Sequence, residues 1–305
     1  MKVLVATEKP FAKTAVDGIH SIVSAAGYEL VLLEKYSDAA QFYAAVADVD
    51  GLIVRSDKVT AEVLAHASKL KVVVRAGAGF DNLDLAACSA HHVVAMNTPG
   101  QNSNAVAELA LGMMVFMARN NFESGTGSEL KGKTLGIQAY GNVGRLVAKL
   151  ALGFGMRVLA FDPYVSAAAM AADGVTPVAD LNELYRQSNY LSLHIPANAQ
   201  TKQSVNYKLL MQMPQGACLV NTARKEVIHE ADLARVLEER ADFKYVSDIA
   251  PDSCEELHAR FGTRVFATPK KMGAETAEAN INAGLAAANQ VVGFLSQGLD
   301  RFRVN

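Results

Sequence analysis

Cysteine is scarce in this 305-residue chain: Cys88, Cys218 and Cys254 are odd in number, widely separated and outside any C-x-x-C pattern. Neither a disulfide framework nor a zinc site is indicated, which points to a reducing cytoplasm. An excess of charge of either sign is lacking too. The formal net charge is -2, and no lysine or arginine run gives the electrostatic footprint of a nucleic-acid binder. Long apolar runs are absent. The longest, Val106 to Ala118, contains Glu108 and ends at Arg119, too short to span a bilayer and more like a buried helix. The amino terminus enters an apolar strand without the hydrophobic region and cleavage site of a secretory signal. A soluble protein is expected, acting neither on nucleic acid nor in a membrane.

Half of the residues are hydrophobic, and the length suggests two domains. Short apolar runs alternate with amphipathic stretches from the start: Val3 to Ala6, Leu30 to Leu33, Gly51 to Val54, Val72 to Val74 and Val93 to Met96. A second series follows at Thr134 to Gln138, Arg157 to Phe161, Tyr190 to Leu193, Ala217 to Val220, Tyr245 to Ile249 and Arg264 to Ala267. This rhythm predicts an α/β chain with two successive doubly wound parallel sheets. A helix is expected over Ala105 to Arg119, a connector at Ser124 to Ser128, and a last helix over Ala274 to Leu295 that periodicity assigns to neither domain.

Leu135 to Gly144, LGIQAYGNVG, has the strand, tight turn and helix start of a dinucleotide-binding βαβ unit. Tyr140, Gly141, Asn142, Val143 and Gly144 are therefore candidate cofactor residues. Ala139 replaces the first glycine of the fingerprint, which is tolerable if its φ is negative. Gly141 and Gly144 hold the positions for close pyrophosphate approach and for helix–strand packing. Asp162, at the end of the next strand, stands where a carboxylate would take the adenosine ribose and repel a 2'-phosphate. No arginine follows it, so the expected cofactor is NAD.

These residues belong to a wider pattern. VRAGAGFDN from Val74, NTPG from Asn97, VAE from Val106, the glycine loop, LHIP from Leu193, NTAR from Asn221 and Thr268-Pro269 together resemble the D-isomer-specific 2-hydroxy-acid dehydrogenases over essentially the whole chain. Val54-Arg55-Ser56 and the AYGNVG loop are similar to members that oxidise D-3-phosphoglycerate at the start of serine biosynthesis, in particular the short type without a carboxy-terminal regulatory domain. The resemblance implies two Rossmann-like domains with a cleft between them. One is a discontinuous, flavodoxin-like substrate domain, residues 1–98 plus 275–305, and the other an NAD-binding domain, residues 99–274. It also implies a homodimer with a contribution from the helix at Val106 to Arg119. His194, Pro196, Thr201, Thr222, Ala223 and Asp248 would line the cofactor.

Oxidising a 2-hydroxy acid requires a carboxylate anchor, a cation at the C2 oxygen and a proton acceptor. Arg224 resembles the family's catalytic arginine; its planar guanidinium can hold carboxylate and C2 oxygen together. Most members carry a histidine soon after the Thr-Pro, where this chain has Lys270 and Lys271. Counting back from Gly273-Ala274 favours Lys271, counting forward from Pro269 selects Lys270. An amine in that role needs its pKa lowered by burial or by nearby positive charge, such as Lys270 and Arg224. The position matching the family's glutamate is Ser253, so no catalytic carboxylate is carried over.

Ala76 and Gly77, with Ala78, form a small-residue turn able to offer amides to the substrate carboxylate. A phosphate on the substrate calls for Arg55 and Ser56, with Lys58 held loosely, while Asn102 and Asn104 resemble family positions that contact cofactor or substrate phosphates. Asn104 reads equally as a helix cap. His91-His92 reads as a helix end, and no metal is expected. Two other readings stay open: a dehydrogenase of an unphosphorylated D-2-hydroxy acid such as glycerate or lactate, and a non-catalytic NAD sensor on the same fold.

Overall fold

The structure is a computed structural model describing residues 1–305. It divides into two compact units, Met1–Asn102 with Glu275–Asn305, and Ser103–Ala274. Both are mixed α/β units built on parallel sheets, so the expected fold class holds.

The first unit carries strands β1 (Lys2–Thr7), β2 (Glu29–Glu34), β3 (Gly51–Val54), β4 (Val72–Arg75) and β5 (Val94–Asn97). All pair in parallel in the order β2-β1-β3-β4-β5, and the order reverses between β1 and β3. The apolar runs are continuous because both faces are covered. Leu52 and Val54 of β3 join Leu4, Ala6 and Val73 in one core, while Ile53 joins Val3, Val5, Val72 and Val74 in the other. Helices α1 (Lys13–Ala25), α2 (Ala39–Val46), α3 (Ala61–His66) and α4 (Leu85–Ala90) complete the layers, and α4 closes at His91, with His92 left-handed at φ 57°.

The second unit begins with α5 (Ser103–Ala118), whose Met113, Met114 and Met117 are buried. Its strands are β6 (Thr134–Gln138), β7 (Arg157–Phe161), β8 (Thr176–Pro177), β9 (Tyr190–Leu193), β10 (Cys218–Asn221), β11 (Lys244–Ser247) and β12 (Val265–Ala267). They order as β12-β11-β10-β9-β6-β7-β8, with the reversal between β6 and β9. The two-residue β8 escaped the sequence reading: it is an edge strand ending in Pro177, too short for a pattern. Helices α6 (Asn142–Gly153), α7 (Ala167–Ala172), α8 (Leu181–Gln187), α9 (Tyr207–Leu210), α10 (Glu230–Glu239) and α11 (Cys254–Phe261) lie between strands.

The last helix, α12 (Ala277–Gln297), belongs to the first unit and packs on α1, β3 and β4. Small residues make the fit: Gly284, Ala287 and Ala288 are buried, and a Cβ on Gly51 would stand 2.6 Å from Val291. Beyond α12 the chain returns to β5, where Val304 N–H donates to the Ala95 carbonyl and covers an otherwise open edge. No helix is long and apolar enough to cross a membrane.

Candidate functional site

Ligands of doubly wound sheets bind beyond the carboxyl ends of the strands, where strand order reverses. In the second unit that point lies between β6 and β9, so the loop Ala139–Gly141 and the segment His194–Pro196 are neighbours. They are tied together by His194 N–H donating to the Gln138 carbonyl at 3.0 Å.

The glycine loop has the steric form a dinucleotide requires. A Cβ on Gly144 would collide with the Ala139 carbonyl oxygen, so this glycine lets α6 close on β6; a Cβ on Gly141 would meet nothing within 4 Å. The twelve-residue α6 starts from Gly141 with no side chain capping its first turn, leaving amides of the exposed Asn142 and its neighbours Val143 and Gly144 for an anion. Ala139 corrects an expectation: its φ is +78°, not negative. Only glycine adopts that region without strain, so this loop is held against a steric cost.

Tyr140 shows what holds it. Its ring is 0% exposed, its hydroxyl donates to Asp173 Oδ2 at 3.1 Å, and the Arg145 guanidinium lies 5.0 Å from the ring centre. Burial, then the Asp173 carboxylate, pushes the phenol up to about 12. Of the expected cofactor residues, Tyr140 thus has only backbone to offer, and its amide already donates to Asp162 Oδ2 at 2.7 Å. Asp162 Oδ1 takes the Tyr164 amide at 2.8 Å, which fixes the carboxylate at the end of β7 while each oxygen keeps a second lone pair.

His194 is half-buried between Ser192 Oγ, 3.0 Å from Nε2, and Thr222 Oγ1, 3.5 Å from Nδ1. Burial lowers its pKa to about 4, so the ring is neutral near pH 7. Pro196 and Thr201 form one turn, in which the Thr201 hydroxyl donates to the Pro196 carbonyl and its Oγ1 accepts the Asn198 amide at 2.9 Å. Thr222 and Ala223 are buried beyond β10, and the buried Asn221 sets their turn by accepting from Ala223 N–H and donating to the Arg224 carbonyl, both at 3.0 Å. Arg224 Nη1 in turn donates to the Ala223 carbonyl at 2.9 Å. The guanidinium is thereby anchored at the carboxyl end of β10.

Asp248, 1% exposed at the end of β11, was expected beside the cofactor. Its carboxylate has a task that sequence did not disclose. Oδ1 accepts from Thr268 Oγ1 at 3.1 Å and from Met272 N–H at 2.8 Å, and Oδ2 accepts from Gly273 N–H at 2.8 Å. The segment from Thr268 to Gly273 is pinned at both ends, with Lys270 and Lys271 between. Both lysines are exposed, so burial, one of the two expected ways of priming an amine, is not available to them. Ser253, at the position of the absent glutamate, binds a carboxylate instead: its amide and hydroxyl donate to Glu230 Oε2 at 2.9 and 2.6 Å.

In the first unit the reversal point lies between β1 and β3, and Arg55 stands there. Its guanidinium donates to the carbonyls of Lys9 and Pro10 at 3.1 and 3.2 Å and to Asn280 Oδ1 of α12 at 2.6 Å, and it lies 5.2 Å from the Phe11 ring centre. Ser56 and Lys58 are exposed. The expected amide nest is corrected: Ala76 N–H is spent on the Val54 carbonyl and Gly77 N–H on the Arg75 carbonyl, so neither amide is left for a substrate carboxylate. Arg75, which sequence reading passed over, lays its guanidinium against Gly77 so closely that any side chain there would clash, and its Nε donates to the Arg55 carbonyl at 3.0 Å. Asn102 is half-buried just before α5, and Asn104 sits inside the first turn of α5, donating to Glu108 Oε1 at 2.6 Å.

Comparison with known proteins matches residues 105–270 to the D-isomer specific 2-hydroxyacid dehydrogenase NAD binding domain. A hydroxypyruvate reductase of Thermotoga maritima is 34% identical over 285 residues, 86% of this chain and 90% of that protein. A D-3-phosphoglycerate dehydrogenase of Methanocaldococcus jannaschii is 36% identical over 81% of this chain, which spans only 50% of that relative. Among solved structures, NAD+-bound 3-phosphoglycerate dehydrogenase of Entamoeba histolytica superposes with a TM-score of 0.89 at 46% identity, covering 100% of this chain and 98% of that one.

Proposed function

We propose, from the premise that this chain belongs to the D-isomer specific 2-hydroxyacid dehydrogenases and is an NAD-dependent oxidoreductase, that it oxidises D-3-phosphoglycerate to 3-phosphohydroxypyruvate at the start of serine biosynthesis. The observation that carries the choice of substrate is the likeness, over the full chain, to an NAD+-bound 3-phosphoglycerate dehydrogenase at 46% identity. Bound NAD would supply the acceptor for the C2 hydride. We assign it to the second unit, with the amides at the start of α6 on the pyrophosphate, Asp162 on the ribose, and neutral His194 with Pro196, Thr201, Thr222 and Ala223 along its length.

In this reading Arg224 binds the substrate carboxylate and draws electron density from the C2 oxygen, and Asn221 keeps the guanidinium in place through the turn it pins. Lys271 takes the hydroxyl proton as hydride leaves C2, with Lys270 beside it in the sequence. Asp248 holds that loop. The substrate phosphate is assigned to Arg55, with Ser56 and Lys58 beside it and Asn102 on the same unit. We include in the proposal a cytoplasmic homodimer with α5 at its interface, supported by Phe122, 68% exposed and packed on Phe116 just beyond α5.

A second reading is favoured by the Thermotoga relative, most of whose length this chain covers: an unphosphorylated acid, with the same C2 chemistry. NAD reduction with D-3-phosphoglycerate, D-glycerate and D-lactate separates the two. Turnover confined to the phosphorylated acid is the expected result. Turnover only on D-glycerate or D-lactate would overturn the substrate and keep the chemistry, and silence on all three would favour an NAD sensor.

A further inference from the structure

The loop Arg55–Lys58 leaves the carboxyl end of β3 with two basic residues, and the residue between them and behind Ser56 is acidic. Asp57 is the buried one of the four, 6% exposed, while Ser56 and Lys58 are open to solvent. A buried carboxylate is stable only with hydrogen-bond donors around it. Asp57 Oδ1 accepts two: Glu8 N–H from the loop after β1, at 2.8 Å, and the Tyr36 hydroxyl from the loop after β2, at 2.8 Å. Burial and the Asp57 carboxylate both raise the Tyr36 phenol above its ordinary pKa, which keeps the hydroxyl a donor. On the other side, Asn82 Nδ2 donates to the Asp57 carbonyl at 2.7 Å and to the Arg55 carbonyl at 3.3 Å. Asp57 therefore joins the loops following β1 and β2 to the loop that carries Arg55.

The electrostatic consequence concerns Arg55. All of its side-chain hydrogen bonds go to neutral acceptors, namely the carbonyls of Lys9 and Pro10 and the amide oxygen of Asn280. The carboxylate only two residues away is turned to Glu8 and Tyr36 instead. Two of those neutral acceptors lie in the loop after β1 that the Glu8–Asp57 bond holds. The guanidinium is thus oriented by hydrogen bonds to neutral groups alone, which suits an arginine meant for an external anion.

We infer that Asp57 is a positioning residue for anion recognition: by tying the loop after β1 to the loop after β3, it fixes the frame of neutral acceptors that aims Arg55 and keeps its own negative charge away from that arginine. The inference rests on the preceding assignment of Arg55 to the substrate phosphate. Its test compares D-3-phosphoglycerate with D-glycerate, used as substrate or, where turnover is slow, as competitive inhibitor. Asp57→Ala should raise KM for D-3-phosphoglycerate about tenfold or more, with kcat and the constant for D-glycerate changed less than about threefold. Asp57→Asn keeps an oxygen able to accept from both Glu8 N–H and Tyr36, and should restore KM to within about threefold of the wild type. Tyr36→Phe removes a single donor; it should fold even where Asp57→Ala does not, and should raise the phosphorylated acid's KM alone by about threefold.

Equal losses for the two acids, no loss in Asp57→Ala and Tyr36→Phe, or an Asp57→Asn variant as impaired as Asp57→Ala would each overturn the inference. The wild-type measurement stands apart. A wild type that does not prefer the phosphorylated acid overturns the substrate assignment, whatever the variants do.

Discussion

The proposed proton acceptor is a single side chain, and it can be tested as one. Lys271 lies on a segment whose ends are held by Asp248 through Thr268, Met272 and Gly273, so its removal should leave the loop's backbone in place. Lys271→Ala is expected to lower kcat at least 100-fold, on the order of a lost general acid–base, with NAD affinity unchanged by fluorescence titration. Near-normal turnover in that variant would move the role to Lys270 or to water. Which residues could be proposed beforehand follows from where their partners lie. Arg224 and the lysine pair sit inside contiguous motifs, and the chemistry of a guanidinium or an amine can be read from the residue type. Asp57, Arg75 and the loop-holding task of Asp248 could not be read so, because each depends on partners 20 or more positions away, such as Thr268 for Asp248 and Arg55 for Arg75. Tyr140 is the converse case. It lies in the motif, and only packing reveals that its ring faces the core while its amide faces Asp162.

At the scale of the element, the turn from β6 into α6 carries its own strain. Ala139 at φ +78° sits where an L side chain clashes with its own backbone, at a cost of roughly 1–2 kcal/mol. Glycine would remove that clash but lose a partly buried methyl and gain freedom in the unfolded chain, which together take back part of the benefit. Ala139→Gly should therefore stabilise the protein by about 0.5–1 kcal/mol, read as a higher midpoint in urea unfolding with unchanged slope. A lower midpoint would mean that the methyl's packing outweighs the backbone strain. The same turn shows where sequence reading is strong. Gly141 and Gly144 could be given separate steric tasks from spacing alone, and the packing task reappears as a blocked Cβ at Gly144, while Gly141 stands beside open space. Strand positions were legible to within a residue or two, because buried parallel strands are written as unbroken apolar runs. The partner of α12 was legible only through the family resemblance, since the periodicity of a helix rich in alanine and glycine shows no strong apolar stripe, and its place is set by how closely Gly51 and Gly284 let it approach.

For the molecule as a whole, the proposed reading places the cofactor on one of two units of separate core, and ligand linkage can show it. A ligand that binds only the folded state adds RT ln(1 + [L]/Kd), about 2.7 kcal/mol at a hundredfold excess over Kd. The chain has no tryptophan, and of its nine tyrosines six, Tyr140, Tyr164, Tyr185, Tyr190, Tyr207 and Tyr245, lie in Ser103–Ala274. Tyrosine emission thus reports mainly on the unit assigned to the cofactor. NAD at that excess should raise the thermal midpoint followed by tyrosine emission by about 5–10 °C, from roughly 2–4 °C per kcal/mol for a unit of this size. NADP at the same concentration should shift it far less, because the Asp162 carboxylate, fixed by the amides of Tyr140 and Tyr164, would meet the 2'-phosphate as like charge. Equal shifts with the two nucleotides would remove Asp162 from the ribose site. An NAD shift confined to the Tyr28, Tyr36 and Tyr43 side of the chain, followed by hydrogen exchange, would reverse the assignment of the two units.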